Sequence, residues 1–447
     1  MSQSNQLEHA VDHVIELAKK HGVEADVIAE SGEKFSLKAE SGELSEYQVS
    51  GSQVIGIRVV KDDSISISYS ESLETQSLEQ MVTQAVKNAA FTKSDPSQKI
   101  RAEGEPISTL NPEIFQTDPA TAEEKVALAL QLEQGVLDKP LAKAAPYNSF
   151  SESSHKTLLA NTLGMRCDHS SRHLMCFTST LIDQGGKQSM HYTGTIARTF
   201  AELEPQRVID ESYQVASDLL EGGPVSSGVY SVIFDTDSLS ELFGAFGSCI
   251  SGLSAQRGTN PWREKVGEIV ASPLLTVTDK AYVEGGMAIT AFDGEGFATQ
   301  DTSLIADGKL VGLLHNSATA AHFGVTHTAN ASRSAKSPLS VSGLHKVLSP
   351  GRSSEAEVTG GEYLELIALQ GTHSGADAIS GDFSFGASGF LCRDGKRERA
   401  VRGITVAGNF YQMLKDIEAV SDVVLPNSYK SFFSPTIRFS GLNIAGE

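Results

Sequence analysis

No stretch of this chain approaches the ~18 consecutive apolar residues that a membrane-crossing helix needs, so nothing in it is expected to span a bilayer. The opening "MSQSNQLEHAVDHVIELAKKHG" lacks a basic lead and a purely apolar segment, and does not read as a signal peptide. Cysteine is scarce. Cys167, Cys176, Cys249 and Cys392 are scattered and form no C-x-x-C pair. Without an export signal, reduced thiols in a cytoplasmic protein are expected. Positive charge is in deficit: 36 Lys and Arg stand against 56 Asp and Glu, a formal net charge of −20. Such a surface repels phosphate backbones and anionic headgroups, which argues against nucleic acid and membrane as partners. There is no G-x-S-x-G nucleophile elbow, no fixed-period repeat and no low-complexity tract.

What is present suggests an α+β protein. At 447 residues the chain is long enough for two or three domains. Residues 4–21 carry a helical stripe of Leu7, Val11, Val14, Ile15 and Ala18, with Gly22 as the stop. Five alternating segments follow, "ADVIAES", "KFSLKAES", "LSEYQVS", "SQVIGIRVV" and "SISISYS", with "GE", "SG" and "KDD" as expected turns. Helical period returns at 75–91. Residues 93–117 read as a connector, and Asp118-Pro119 as the start of a helix running to about Asp138. Residues 145–200 look β-rich with a turn at "NTLG", and 206–220 form another amphipathic helix. Gly222-Gly223-Pro224 is the expected boundary. It divides an N-terminal mixed unit of helices and antiparallel sheet, 1–222 (with parts near 1–95 and 115–222), from a β-rich unit of antiparallel or barrel-like sheet, 225–447. In the latter, "LIADGKLVGLL" and "FLCRDGKRERAV" each place Asp-Gly between alternating runs, a hairpin signal.

Few residues advertise chemistry. "SLSELFGAFGSCISG" (238–252) predicts a helix from Leu239, capped by an S-x-x-E box of Ser238 and Glu241. Leu239, Leu242, Phe243, Phe246, Ile250 and Leu253 make its core stripe. Gly244, Gly247, Ser248 and Ser251 make a bare second face, expected to pack closely on another backbone or to border a peptide groove. "CDHSSRHLMC" gathers Cys167, His169, His173 and Cys176, but in no zinc spacing, and strand parity sends Cys176 to the opposite face from the other three. Two strands with ordinary thiols and surface imidazoles are expected. His322 and His327 lie five apart with no Glu between, and His315, His345 and His373 add further imidazoles. Asp293 and Glu295 in "FDGEGFATQ" are either acid/base groups or turn formers. The "GEG" there fails the dinucleotide fingerprint.

The C-terminal half resembles the TldD/PmbA (TldE) family of bacterial cytosolic peptidases. The resemblance is carried by "SLSELFGAFGSCISGLSAQRGTN", "VGEIVASPLLTVTD", "AFDGEGFATQDTSLIADGKLVGLLHNSATAAHFG", "ISGDFSFGASGF", "VRGITVAGNFYQML" and "SPTIRFSGLNIAG". The first half is compatible with the family and weaker in signature. In the TldD branch the helix matching 238–252 carries H-E-x-x-x-H, two metal-binding His and a Glu base. Here those positions are Phe243, Gly244 and Ser248, and no Cys follows Cys392 to complete a metal site. The resemblance therefore implies the PmbA/TldE branch: a subunit without its own metal, paired with a zinc-bearing TldD-type metallopeptidase. It would enclose extended peptides, such as leader or microcin precursors and short unfolded proteins, with Gly247, Ser251, Asp293 and Glu295 as groove candidates. An isolated chain could pair with itself as a homodimer. The rivals are a stand-alone hydrolase with a metal at His315, His322 and His327, and a non-catalytic peptide-binding module.

Overall fold

The computed structural model describes residues 3–100 and 114–447. Most of the expected connector, 101–113, lies outside them. In the N-terminal part, α1 (Gln3–Lys20) leads into β1 (Glu24–Glu40), β2 (Glu43–Lys61), β3 (Ser64–Ser70) and α2 (Thr75–Ala89). Then come α3 (Ala122–Leu137), β4 (Ala142–Ala144), β5 (Asn148–Asn161), β6 (Arg166–Gln184), β7 (Lys187–Ala197) and α4 (Pro205–Leu219). All seven strands join one antiparallel sheet, ordered β3-β2-β1-β5-β6-β4 with β7 beside β6.

The five expected alternating segments are three strands. Gly32 and Gly51 do not turn the chain but pair inside the β1–β2 ladder, Gly32 opposite Ser52 and Glu33 opposite Gly51. The turns fall at Ser41-Gly42 and Asp62-Asp63, where positive φ angles appear. The helix expected at Asp118-Pro119 begins instead at Ala122, because Thr121 and Glu124 form a reciprocal capping box. "CDHSSRHLMC" lies within one strand, β6, rather than two.

The β1–β2 hairpin is long enough to reach two separate helical layers. At one end Val27, Ile55, Ile57 and Val59 bury against Leu7, Val11 and Val14 of α1 and Leu78 and Val82 of α2. At the other, Leu37 joins Leu132, Phe150, Leu174, Cys176 and Val208, under α3 and α4. The middle of β2 stays in solvent, with Tyr47 and Val49 exposed.

The C-terminal part runs β8 (Gly228–Phe234), α5 (Thr236–Ala245), α6 (Gly252–Gln256), β9 (Val277–Lys280), β10 (Thr302–Ala306), β11 (Lys309–Leu310) and α7 (Ser317–Phe323). It continues with β12 (Ala331–Ser332), β13 (Ser340–Val341), β14 (His345–Leu348), α8 (Glu355–Val358), β15 (Glu362–Gln370), β16 (Asp382–Arg393), β17 (Lys396–Asn409), α9 (Phe410–Met413), β18 (Ile417–Pro426) and β19 (Phe432–Ala445). Ten strands form its main sheet. Strands β8, β15, β16, β17 and β19 follow one another, and β19 pairs back to β8, so the sheet closes on itself. Both Asp-Gly hairpins form as expected, with Asp307-Gly308 and Asp394-Gly395 at positive φ.

A buried ion cluster joins the two parts. Asp26 of β1 accepts Arg58 Nε at 2.9 Å and also pairs with Arg333, which lies beyond β12. Glu295 Oε1 lies 3.6 Å from Arg58 Nη2. Beside the cluster, Glu30 accepts the Ala335 amide at 2.8 Å, and Gly56 lets the Ala335 carbonyl approach so closely that a Cβ would overlap it. Burial opposes ionisation of Asp26, but Arg333 and Arg58 outweigh it and hold its carboxyl below the ordinary range.

Asp26→Asn would leave two buried guanidiniums undercompensated, at an expected cost of about 3–5 kcal/mol. The stabilisation from Asp26 is present above its unfolded pKa of 3.8 and is lost as pH falls through the lower folded value. Urea unfolding at neutral and acidic pH checks this; a variant as stable as the native chain at neutral pH would refute it.

Candidate functional site

Residues 236–256 form not one helix but three pieces. Helix α5 starts at Thr236 because Asp235, three residues ahead of Ser238, caps it first, accepting the Ser238 amide at 2.8 Å. The expected Ser238–Glu241 box therefore does not form. The helix ends at Ala245, Gly247–Ile250 tightens into a 3-10 turn, and Ser251 caps α6. Gly244 and Gly247, two poor helix formers within four residues, favour this break.

The apolar stripe is buried as expected through Phe246. Phe243 meets Phe410 edge-on at 5.3 Å and Phe432 at 5.5 Å, and Phe246 stacks on Phe410 at 4.4 Å. The bare face behaves differently. A Cβ on Gly244 or on Gly247 would meet no atom within 4 Å, so no backbone packs there. The close approach expected of this face falls on Gly252 instead, where a Cβ would overlap the His315 ring. Gly244, Gly247 and Ser251 border an open cleft of 390 Å³, together with Ser240, Asp279, Gly343 and Lys346. Ser248 is not on its wall; its Oγ is buried without a hydrogen-bond partner among the described residues.

Lys346 and Asp279 are the charged groups of this cleft, and sequence reading missed both. Lys346 Nζ lies 3.4 Å from the Phe243 carbonyl and 5.4 Å from that ring's centroid. Burial holds its ammonium below the ordinary lysine range, while Cys249 and Asp279 oppose that shift. Cys249 is pushed up to about 12 by burial and is not a nucleophile at neutral pH. Asp279 is pushed up to about 6 by burial, although it accepts Leu344 N at 2.7 Å and Asn330 Nδ2 at 2.8 Å.

The structure splits the four groove candidates. Gly247 and Ser251 border the cleft, whereas Asp293 and Glu295 serve the backbone elsewhere. Asp293 accepts the amides of Glu295, Phe297 and Ala331 at 2.9, 3.0 and 3.0 Å, which is turn chemistry. Glu295 accepts the Ser317 amide at 2.8 Å and faces Arg58. The imidazoles are engaged one by one. His315 Nδ1 lies 3.1 Å from Thr319 Oγ1, and its ring is kept neutral by burial, at about 4. The exposed His322 ring lies against Phe323, and His327 lies against Phe297. In β6, Cys176 is buried on the face opposite Cys167, as parity requires. His169, expected at the surface, is buried beneath Phe292. No group of three or more His, Cys, Asp or Glu able to hold a metal occurs among the described residues.

Phe243, Gly244 and Ser248, the positions that the resemblance sets against H-E-x-x-x-H, do not fit an ion. The Phe243 ring is locked among aromatic neighbours, Gly244 has no side chain, and Ser248 offers a lone hydroxyl turned from the cleft. What the cleft offers is room beside a helix, hydroxyls from Ser240 and Ser251, and the side chains of Asp279 and Lys346.

Comparison with known proteins gives three successive family matches. They are PmbA/TldA metallopeptidase domain 1 over residues 25–89, the central domain over 116–220 and the C-terminal domain over 227–446. Metalloprotease PmbA of Escherichia coli O157:H7 is 27% identical, over 94% of this chain and 92% of its own. A Thermotoga maritima protein described as a modulator of a DNA gyrase superposes with a TM-score of 0.88 at 25% identity, covering 98% of this chain and 100% of that one. TldE from Thermococcus kodakarensis shares the fold, with a TM-score of 0.82 at 20% identity over 98% and 100% of the two chains.

Because nothing packs on Gly244, Gly244→Ala should fold normally and gain about 0.5–1 kcal/mol from helix propensity. A loss of stability in thermal unfolding would restore the close-packing alternative. Asp235 is pushed up to about 7 by burial, which outweighs its hydrogen bonds to Ser238. Its stabilising contribution is full below the unfolded value of 3.8 and declines as pH rises through about 7. Asp235→Asn keeps a capping oxygen but does not ionise. Its stability relative to the native chain should therefore rise across that window and level off above it. Urea midpoints in a pH series check this, and a constant difference would contradict it.

Proposed function

The chain belongs to the PmbA/TldD metallopeptidase family, and within it we propose that this chain is the subunit without a metal site of its own. Its peptidase role is exercised with a TldD-type partner that carries the zinc, the base and the attacking water, in the cytoplasm. The observation that carries this reading is the residue set at positions 243, 244 and 248. Phe243, Gly244 and Ser248 offer neither a ligand set nor a base. The cleft supports a part in enclosing substrate, since glycines without neighbours leave room for an extended peptide beside α5. Leader peptides, microcin-type precursors and short unfolded chains are the substrate class proposed. The boundary proposed at Gly222-Gly223-Pro224 separates a 1–222 unit from the 225–447 unit that holds the cleft.

The test is reconstitution. The purified chain, analysed for metal and incubated with an unstructured peptide, is expected to bind no stoichiometric zinc and to release no products. Mixing with a TldD-type subunit should yield a stable heteromeric complex and chelator-sensitive cleavage. Filling the cleft with Gly247→Trp should slow cleavage by that complex without dissociating it. Stoichiometric zinc with activity in the isolated chain would overturn the proposal. Peptide binding with no cleavage under any pairing would favour the binding-module alternative.

A further inference from the structure

The outer edge of β2 is open along residues 43–54. Strand β3 pairs with β2 only from Ile55 to Lys61, and among the described residues no strand pairs with that side of β2 before it. Residues 45–53 are all exposed, on both faces of the sheet. A free strand edge carries unpaired amides and carbonyls and is a template for another strand. The usual protections are thin here. Residues 43–54 contain no Lys, Arg or Pro, and the one irregularity in their pairing with β1 falls at Ser45, near the turn, which leaves 46–54 regular.

Charge and shape narrow what fits this edge. The chain carries a net charge of −20, so a second copy is repelled overall, yet residues 47–57 hold no charged side chain. On one face of this strip Tyr47 is 57% exposed and Val49 is 70% exposed. Tyr47 meets Phe35 edge-on at 5.2 Å and leaves the rest of its ring in solvent. Gly51 follows on the same face. A Cβ there would meet one atom, the Gly32 carbonyl oxygen, at an ordinary 3.9 Å, so packing within the chain does not require glycine. A glycine on a strand edge leaves room for an aromatic ring from the strand beside it.

We propose that two copies of this chain pair antiparallel along this edge, about a two-fold axis through Val49, and so join their N-terminal sheets. That register sets Val49 against Val49, Tyr47 against Gly51, Glu46 against Ser52 and Leu44 against Val54. Each Tyr47 ring then lies over Gly51 of the second copy and diagonal to its Val49, and the exposed apolar groups of both copies form one cluster. No like charges stand opposite each other, whereas an axis at Glu46 would oppose two carboxylates. A self-complementary contact of this kind closes as a dimer. The edge shares no residue with the cleft beside α5. Pairing is measured on the isolated chain, so its failure and that of the subunit reading are separate results.

Sedimentation velocity of the isolated full-length chain, across a micromolar concentration series, tests it. A monomer–dimer equilibrium is expected, and it should tighten as salt screens the two net charges. Val49→Lys and Val49→Glu alter a side chain already in solvent and should leave the fold intact by circular dichroism. Each should weaken dimerisation about tenfold or more, because like charges then face each other where two Val side chains met. Mixed in equal amounts, the two variants should recover the dimer, since Lys then faces Glu. Should either fail to fold, Tyr47→Ser, at another exposed position, should weaken the dimer several-fold. A monomer at every concentration and salt would overturn the proposal. Dimerisation unchanged in the folded variants would put the contact on another face. Loss in both variants without recovery on mixing would overturn the axis at Val49. A dimer that salt dissolves would rest on ion pairs, which this edge lacks, and would overturn it too.

Discussion

The ion cluster of Asp26, Arg58, Glu295 and Arg333 is the constraint on which the rest of the molecule depends. Two carboxylates and two guanidiniums lie almost wholly out of water, drawn from β1, β2 and two loops some three hundred residues later in the chain. Such a cluster is a weak source of net stability but exacts a heavy penalty for misplacement, because each charge depends on its partners. It therefore sets register more than strength. With Asp26 and Arg58 directly paired across the β1–β2 ladder, the loops carrying Glu295 and Arg333 can seat in one way only. That seating places Asn330 and Arg333 against the N-terminal sheet and, through Asp279 and Leu344, shapes the wall of the cleft beside α5.

The cleft owes its form to two opposite demands on one short segment. The stripe of Leu239, Leu242, Phe243 and Phe246 is held by an aromatic group that includes Phe410 and Phe432, and this anchors α5. The other face contributes only hydrogens at Gly244 and Gly247. A helix normally loses stability to internal glycine, and here the chain leaves α-helical geometry straight after Ala245. The outcome is a firmly anchored wall with nothing projecting from it, beside Lys346.

Several elements were legible because their cause is local. The α1 stripe, the two Asp-Gly hairpins and the strand alternation depend on residues within a few positions of one another. The misreadings have local causes too, but competing ones. Gly32 and Gly51 resemble turn residues, yet neighbouring strands on both sides of β1 supply a continuous ladder that holds them extended. Ser238 and Glu241 have capping-box spacing, but Asp235 reaches the free amide first. Asp293 and Glu295, read either as acid/base groups or as turn formers, accept backbone amides. Lys346, Asp279 and Arg333 were passed over because single charged residues carry no motif.

By itself the sequence determined the α+β class, the absence of a long apolar helical span and the family. Each follows from residue type, or from spacing along a single element. Only the tertiary structure decided that the glycine face is open rather than packed, and that Lys346 stands in the cleft. These depend on contacts between segments far apart in the chain. Their register is set by buried charges that pair only once the loops carrying Glu295 and Arg333 seat against the N-terminal sheet, and spacing along the sequence does not encode that.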